Sequence, residues 1–178
     1  MIRATRRGML AGALAVPTLA GLANWRWRHG ESSLLLHDPA LAAGRRFAEA
    51  GRARGGEVLA IDGDRIRFAR TVFDRRPSLI AGVSRHADAL MIEEVGREAG
   101  YDTVATLHAR EGNCAAGHCR LGWSALGRVT SGAGSAWVEA LAEFASRPGE
   151  LAGAALGRSP PTRADAGLVI GWVLAARG

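Results

Sequence analysis

Over the first two thirds of the chain, short apolar runs alternate with stripes of apolar residues at helical spacing. Residues 31–38 carry Leu34, Leu35 and Leu36 and close on His37 and Asp38, the pattern of a buried strand. Asp38-Pro39 then opens a helix, because Asp caps free backbone N–H groups and Pro is preorganised for a first helical position. Leu41, Ala43, Phe47, Ala48 and Ala50 suit its inner face, Arg45, Arg46, Glu49 and Arg52 its outer one, and Gly55-Gly56 stops it. Residues 57–61 form a second strand, closed by Asp62-Gly63-Asp64. Asp62-Gly63 before alternating Ile66 and Phe68 is a hairpin signal. Ile66, Ala69, Val72 and Phe73, however, fall at helical spacing as far as Pro77, so the helix is the favoured reading. A third strand over 78–83 is followed by a helical stripe through Ala87, Leu90, Met91, Val95 and Ala99. A fourth strand follows over 101–108.

Strands alternating with helices at this spacing predict an α/β fold, with parallel strands joined by helical crossovers. The expectation is one domain built on a doubly wound, mostly parallel sheet of about four to five strands, Rossmann-like or flavodoxin-like. Beyond Glu111 the pattern changes. Residues 111–123 read as a loop containing glycine and cysteine, and 126–135 as irregular chain. Ser135 caps a helix with Trp137, Leu141 and Phe144 facing inward, which Pro148-Gly149 ends. Ser159-Pro160-Pro161 reads as a turn, and 167–175 as a closing strand whose nine residues also fit a buried helix.

The first residues belong to a different kind of segment. Arg3, Arg6 and Arg7 precede a mildly apolar stretch over 8–23 with no acidic residue to offset them. Thr5, Arg6, Arg7, Met9 and Leu10 resemble a twin-arginine signal peptide. That resemblance implies export in the folded state, to the periplasm or another exported location, with removal after Ala23, a linker over 24–30 and a mature domain over 31–178. Left uncleaved, the stretch is about sixteen residues and is interrupted by Pro17, against roughly twenty for a membrane span. Membrane contact would then come only through this segment, with Trp25 and Trp27 at the interface.

Once the signal is removed, about 150 residues remain, enough to bury a core without covalent staples. The formal charge of +6 includes three arginines of the signal, so the mature domain is only mildly basic. All 23 cations are arginine, a usage that base composition alone can produce, and an exported location argues against a nucleic-acid partner.

In doubly wound sheets, ligands bind beyond the carboxyl ends of the strands, where strand order reverses. That rule collects His37, Asp38, Asp62, Asp64, Ser84, Arg85, His86, Asp88 and His108. Ser84, His86 and Asp88 are the residue types of a nucleophile, a base and an orienting group, but their i, i+2, i+4 spacing points them apart. Ser84 is better read as a helix cap. A metal-assisted hydrolase would use Asp38, Asp62, Ser84 and His86. Asp38, Asp62 and Asp64 offer oxygen ligands to a divalent cation, while each also fits a cap or turn.

Cys114 and Cys119, in one segment of an exported protein, are expected to form a disulfide. The alternative is a soft-metal site for zinc or copper, or an electron carrier, from His108, Cys114, His118 and Cys119. There is no C-x-x-C-H for haem, and Gly132 and Gly134 before a helix lack the rest of a dinucleotide fingerprint. No cofactor is identified. The leading expectation is an accessory protein that binds a small ligand or a co-exported protein partner.

Overall fold

Leu34, Leu35 and Leu36 start the sheet because a strand covered on both faces needs apolar side chains at successive positions. All three are buried. The computed structural model describes residues 32–110, 113–146 and 165–177. The signal, the linker, Pro148-Gly149 and Ser159-Pro160-Pro161 lie outside the described residues.

Strand β1 (Ser33–His37) leads through helix α1 (Ala42–Ala53) to β2 (Glu57–Ala60), and through α2 (Arg65–Asp74) to β3 (Leu79–Arg85). Helix α3 (His86–Glu98) returns the chain to β4 (Tyr101–Arg110), and β5 (Asn113–Cys119) follows it in the chain. A single 3-10 turn, Leu121–Trp123, precedes α4 (Ser124–Gly132), and another, Gly134–Ala136, precedes α5 (Trp137–Ser146). Strand β6 (Val169–Ala176) closes the sheet.

The class is α/β, with one six-stranded sheet in the order β2-β1-β3-β6-β4-β5. The expectation of a mostly parallel sheet of four to five strands is corrected. β1 pairs parallel with β2 and β3, whereas β6 inserts antiparallel between β3 and β4, and β5 adds antiparallel to β4. β1 to β4 therefore all run the same way, and the reversed strand sits among them. Its sequence hides this, because a strand buried on both faces carries the same apolar run in either direction. All of Val169 to Ala175 is buried.

Two apolar layers flank the sheet. On one side Leu35, Val83, Leu107 and Val173 meet Phe47 of α1, Leu126 of α4 and Leu141 and Phe144 of α5. On the other, Leu36, Ile80, Ile170 and Trp172 meet Phe73 of α2 and Ile92 of α3. The centre of the second layer is Trp172, which lies directly opposite Gly82 in the β3–β6 register. A Cβ on Gly82 would stand 2.1 Å from the indole, so the ring lies flat on bare backbone and its Nε1 donates to Ser84 Oγ at 3.0 Å.

Two local expectations change. The helix after Asp38-Pro39 begins later, at Ala42. Asp38 instead holds the preceding turn, its Oδ1 accepting from the Ala40 N–H at 2.8 Å. Residues 111–123 are not one loop, since β5 and a 3-10 turn occupy most of them, and 124–132 are helical. The helix reading after Asp62-Gly63 stands: Asp64 caps α2 by accepting from the Arg67 N–H at 2.8 Å.

Candidate functional site

From β1 the chain moves to β2 on one side by way of α1, then returns across β1 to β3 by way of α2. Those two helices pack on opposite faces. Strand order thus reverses between β1 and β3, and the crevice at their carboxyl ends is where sheets of this kind receive ligands. Asp38 stands at one lip and Arg85 at the other.

Asp38 is 3% exposed, held by its N–H bond to the Val83 carbonyl and by the Ala40 N–H on Oδ1. Its Oδ2 has no hydrogen-bond partner among the described residues. The nearest cation, the Arg85 guanidinium, has its Nε 3.6 Å from that oxygen: close enough for ionic attraction, too long for a hydrogen bond. Asp38 is buried, whereas the Arg85 side chain is 57% exposed. Gly44 makes the arrangement possible, since a Cβ there would meet the Asp38 carbonyl oxygen at 2.2 Å.

Charges around the lip are already organised. Arg65, at the start of α2, donates from Nε to Asp88 Oδ1 at 3.0 Å, tying together the first turns of α2 and α3. The first turn of α1 is taken by Asp165, whose two carboxylate oxygens accept from the Ala42 and Ala43 N–H groups at 2.6 and 2.8 Å. An anion at a helix N-terminus is favoured by the partial positive charge there. Helix α3, by contrast, has Arg85 at its N-cap position and no side-chain cap.

His37 is buried one residue before Asp38, with neither ring nitrogen hydrogen-bonded among the described residues. Burial, and then the charge of Arg52, hold its pKa below the ordinary value of 6.5 against the opposing pull of Asp38. The unfolded chain therefore takes up a proton below pH 6.5 that the native state resists, and stability falls as pH drops through that value. The expected slope is at most about 1.4 kcal/mol per pH unit. Urea unfolding between pH 7.5 and 5 checks this: His37→Leu is expected to flatten the dependence, and equal slopes for both proteins would refute it.

Ser84 is fully buried, accepting from Trp172 and donating to the Arg85 carbonyl at 3.1 Å. It neither caps α3 nor reaches the crevice surface. His86 is exposed on the first turn of α3. Asp62 is exposed beyond β2, with Oδ1 on the Gly63 N–H. Of the four residues weighed for hydrolysis, only Asp38 lines the switch point as a buried group with unused hydrogen-bonding capacity.

No family model, curated protein or solved structure matches this chain. The site is therefore read from its own geometry.

The soft-metal set is divided by the sheet. In the β4–β5 register His118 lies opposite Thr106 and Ala115 opposite His108, while Cys119 lies opposite Ala105 and Cys114 opposite Ala109. Ala105 and Ala109 belong to the layer under α4 and α5, so Cys114 and Cys119 occupy register positions on that face and the two histidines the other. Among the described residues no group of three or more His, Cys, Asp or Glu side chains is placed to hold a metal ion. The disulfide expectation meets the same strand. Five residues of extended chain put Cys114 and Cys119 roughly 15 Å apart at the Cα atoms, against a limit of about 7 Å for a bridge, and Cys119 is a free thiol.

Asp165 and Trp172 shape this region without any sequence signal. Asp165 is more than a hundred residues from the helix whose first turn it caps, and Trp172 sits inside an ordinary apolar run.

Proposed function

We propose that this chain is an exported α/β binding protein, sent to the periplasm by the twin-arginine route. In this reading it holds a small polar ligand in the crevice between β1 and β3. The observation that carries it is Asp38 Oδ2, buried at the switch point without a hydrogen bond among the described residues and faced at 3.6 Å by the exposed Arg85 side chain. Leaving such an oxygen unpaired costs about 1–3 kcal/mol, a cost that a ligand's N–H or O–H group would offset. Arg85 presents its guanidinium beside the uncapped first turn of α3. The matching ligand carries one hydrogen-bond donor for Asp38 and one carboxylate or phosphate for Arg85, as hydroxy acids, amino acids and their phosphates do. Asp38→Asn keeps an oxygen for the Ala40 N–H and removes the acceptor, while Arg85→Gln removes the cation. Both are expected to lose a ligand that the natural protein retains.

A further inference from the structure

The two edges of the sheet are not equally protected. β2 has four residues and starts on Glu57, which pairs with Arg75. β5 has seven, Asn113-Cys114-Ala115-Ala116-Gly117-His118-Cys119, with no acidic residue, lysine, arginine or proline to repel another strand. Among the described residues the outer edge of β5 is unpaired, and edges of that kind template strand addition. The partner that fits best is the strand itself.

We propose that two copies of this chain join edge to edge through β5, antiparallel about a two-fold axis at the facing Ala116 residues with Gly117 bulged out of each strand, and with Cys114 of each copy bonded to Cys119 of the other. The register supports this. In a regular strand, positions five apart fall on opposite faces and could not meet their symmetry mates in a continuous sheet, because directly opposed residues share a face. Here a bulge at Gly117 shifts the β4–β5 register between Thr106 and Leu107, so Cys114 and Cys119 return to one face. Pairing about that axis then sets Cys114 opposite the second copy's Cys119, Ala115 opposite its His118 and Ala116 opposite its own mate, each pair at register positions of one face, with Gly117 outside the pairing. Directly opposed antiparallel residues have Cα atoms about 4.5–5.5 Å apart, inside the range a disulfide spans. A shallow hollow of ≈ 340 Å³ bounded by Ala116, Cys119, Gly127 and Arg128 lies beside Cys119.

The chemistry requires an external disulfide as oxidant. A Cys114 thiolate attacks it, forming a mixed disulfide and releasing one thiol. The second copy's Cys119 thiolate then displaces the other, so each bridge consumes two protein thiols and one disulfide and yields two small thiols. Burial pushes the Cys119 thiol above its ordinary range, which slows its part in the exchange. Five paired residues on each strand make a small interface, and the bridges, rather than the contact alone, hold the dimer.

The full chain, treated with oxidised glutathione and run without reductant, is expected to migrate at twice its mass and to return to one on reduction. Peptide mapping should recover Cys114 linked to Cys119. Cys114→Ser and Cys119→Ser should each reduce the dimer to background, while an equimolar mixture of the two variants restores a singly bridged dimer. An oxidised monomer with an internal bridge would overturn the proposal. So would dimers that persist in either single variant, or a mixture that stays monomeric. Ligand retention at the Asp38 crevice is measured separately and stands or falls independently.

Discussion

Trp172→Ala is expected to cost the domain about 3–5 kcal/mol, the range for deleting a large aromatic from a packed core. The indole is completely buried, lies on the bare backbone of Gly82 and fills the layer shared with Ile80, Phe73 and Ile92. Its removal opens a void on the central antiparallel strand and leaves Ser84 Oγ without its donor in a site that water does not reach. No smaller neighbour can collapse into the space, because the residue opposite is already glycine. Urea denaturation should show the midpoint falling while the slope stays constant. A loss under about 1 kcal/mol would mean that the ring is not the keystone of that layer.

Gly44→Ala is the second large effect and acts through the crevice. The added methyl would stand 2.2 Å from the Asp38 carbonyl oxygen and 3.1 Å from its carbon. Those are backbone atoms of a turn pinned by the Ala40 and Leu41 N–H groups, so neither side can yield cheaply. Overpacking of this kind costs about 1–3 kcal/mol, and the displacement falls on the residue whose free oxygen defines the site. The expected outcome is a lower melting temperature together with lost ligand retention. Gly63→Ala is a useful comparison: its φ of +65° strains an alanine, yet nothing lies within 4 Å of the added Cβ. It should lower stability while sparing retention. Retention unchanged in Gly44→Ala would separate the Asp38 turn from binding.

The sequence carried much of the first four strands, because Leu34–Leu36, Leu79–Val83 and their intervening helical stripes are long apolar signals of distinct period. It also placed Asp38 and Arg85 at strand ends. What it could not carry has three physical causes. The direction of β6 is invisible in a run buried on both faces. β5 is an edge strand of small, largely exposed residues, so no alternation marks it and it reads as a loop. Helix α4 buries Ala125, Leu126, Gly127 and Thr130, a stripe too small and too polar to stand out. Gly127 within it serves close approach, as its Cβ would meet Cys119 Sγ at 2.8 Å. Capping by Asp165 depends on a tertiary contact and has no local pattern.

Native mass spectrometry of the protein isolated from its native cells, beside Asp38→Asn and Arg85→Gln prepared identically, tests the crevice most directly. The account predicts a small-molecule adduct on the natural protein, released on denaturation. It also predicts that the adduct is missing from both variants, which otherwise fold with unchanged circular dichroism. An adduct carried equally by all three proteins, or a natural protein that arrives bare and gains no thermal stability from glycolate, serine or phosphoserine, would contradict it.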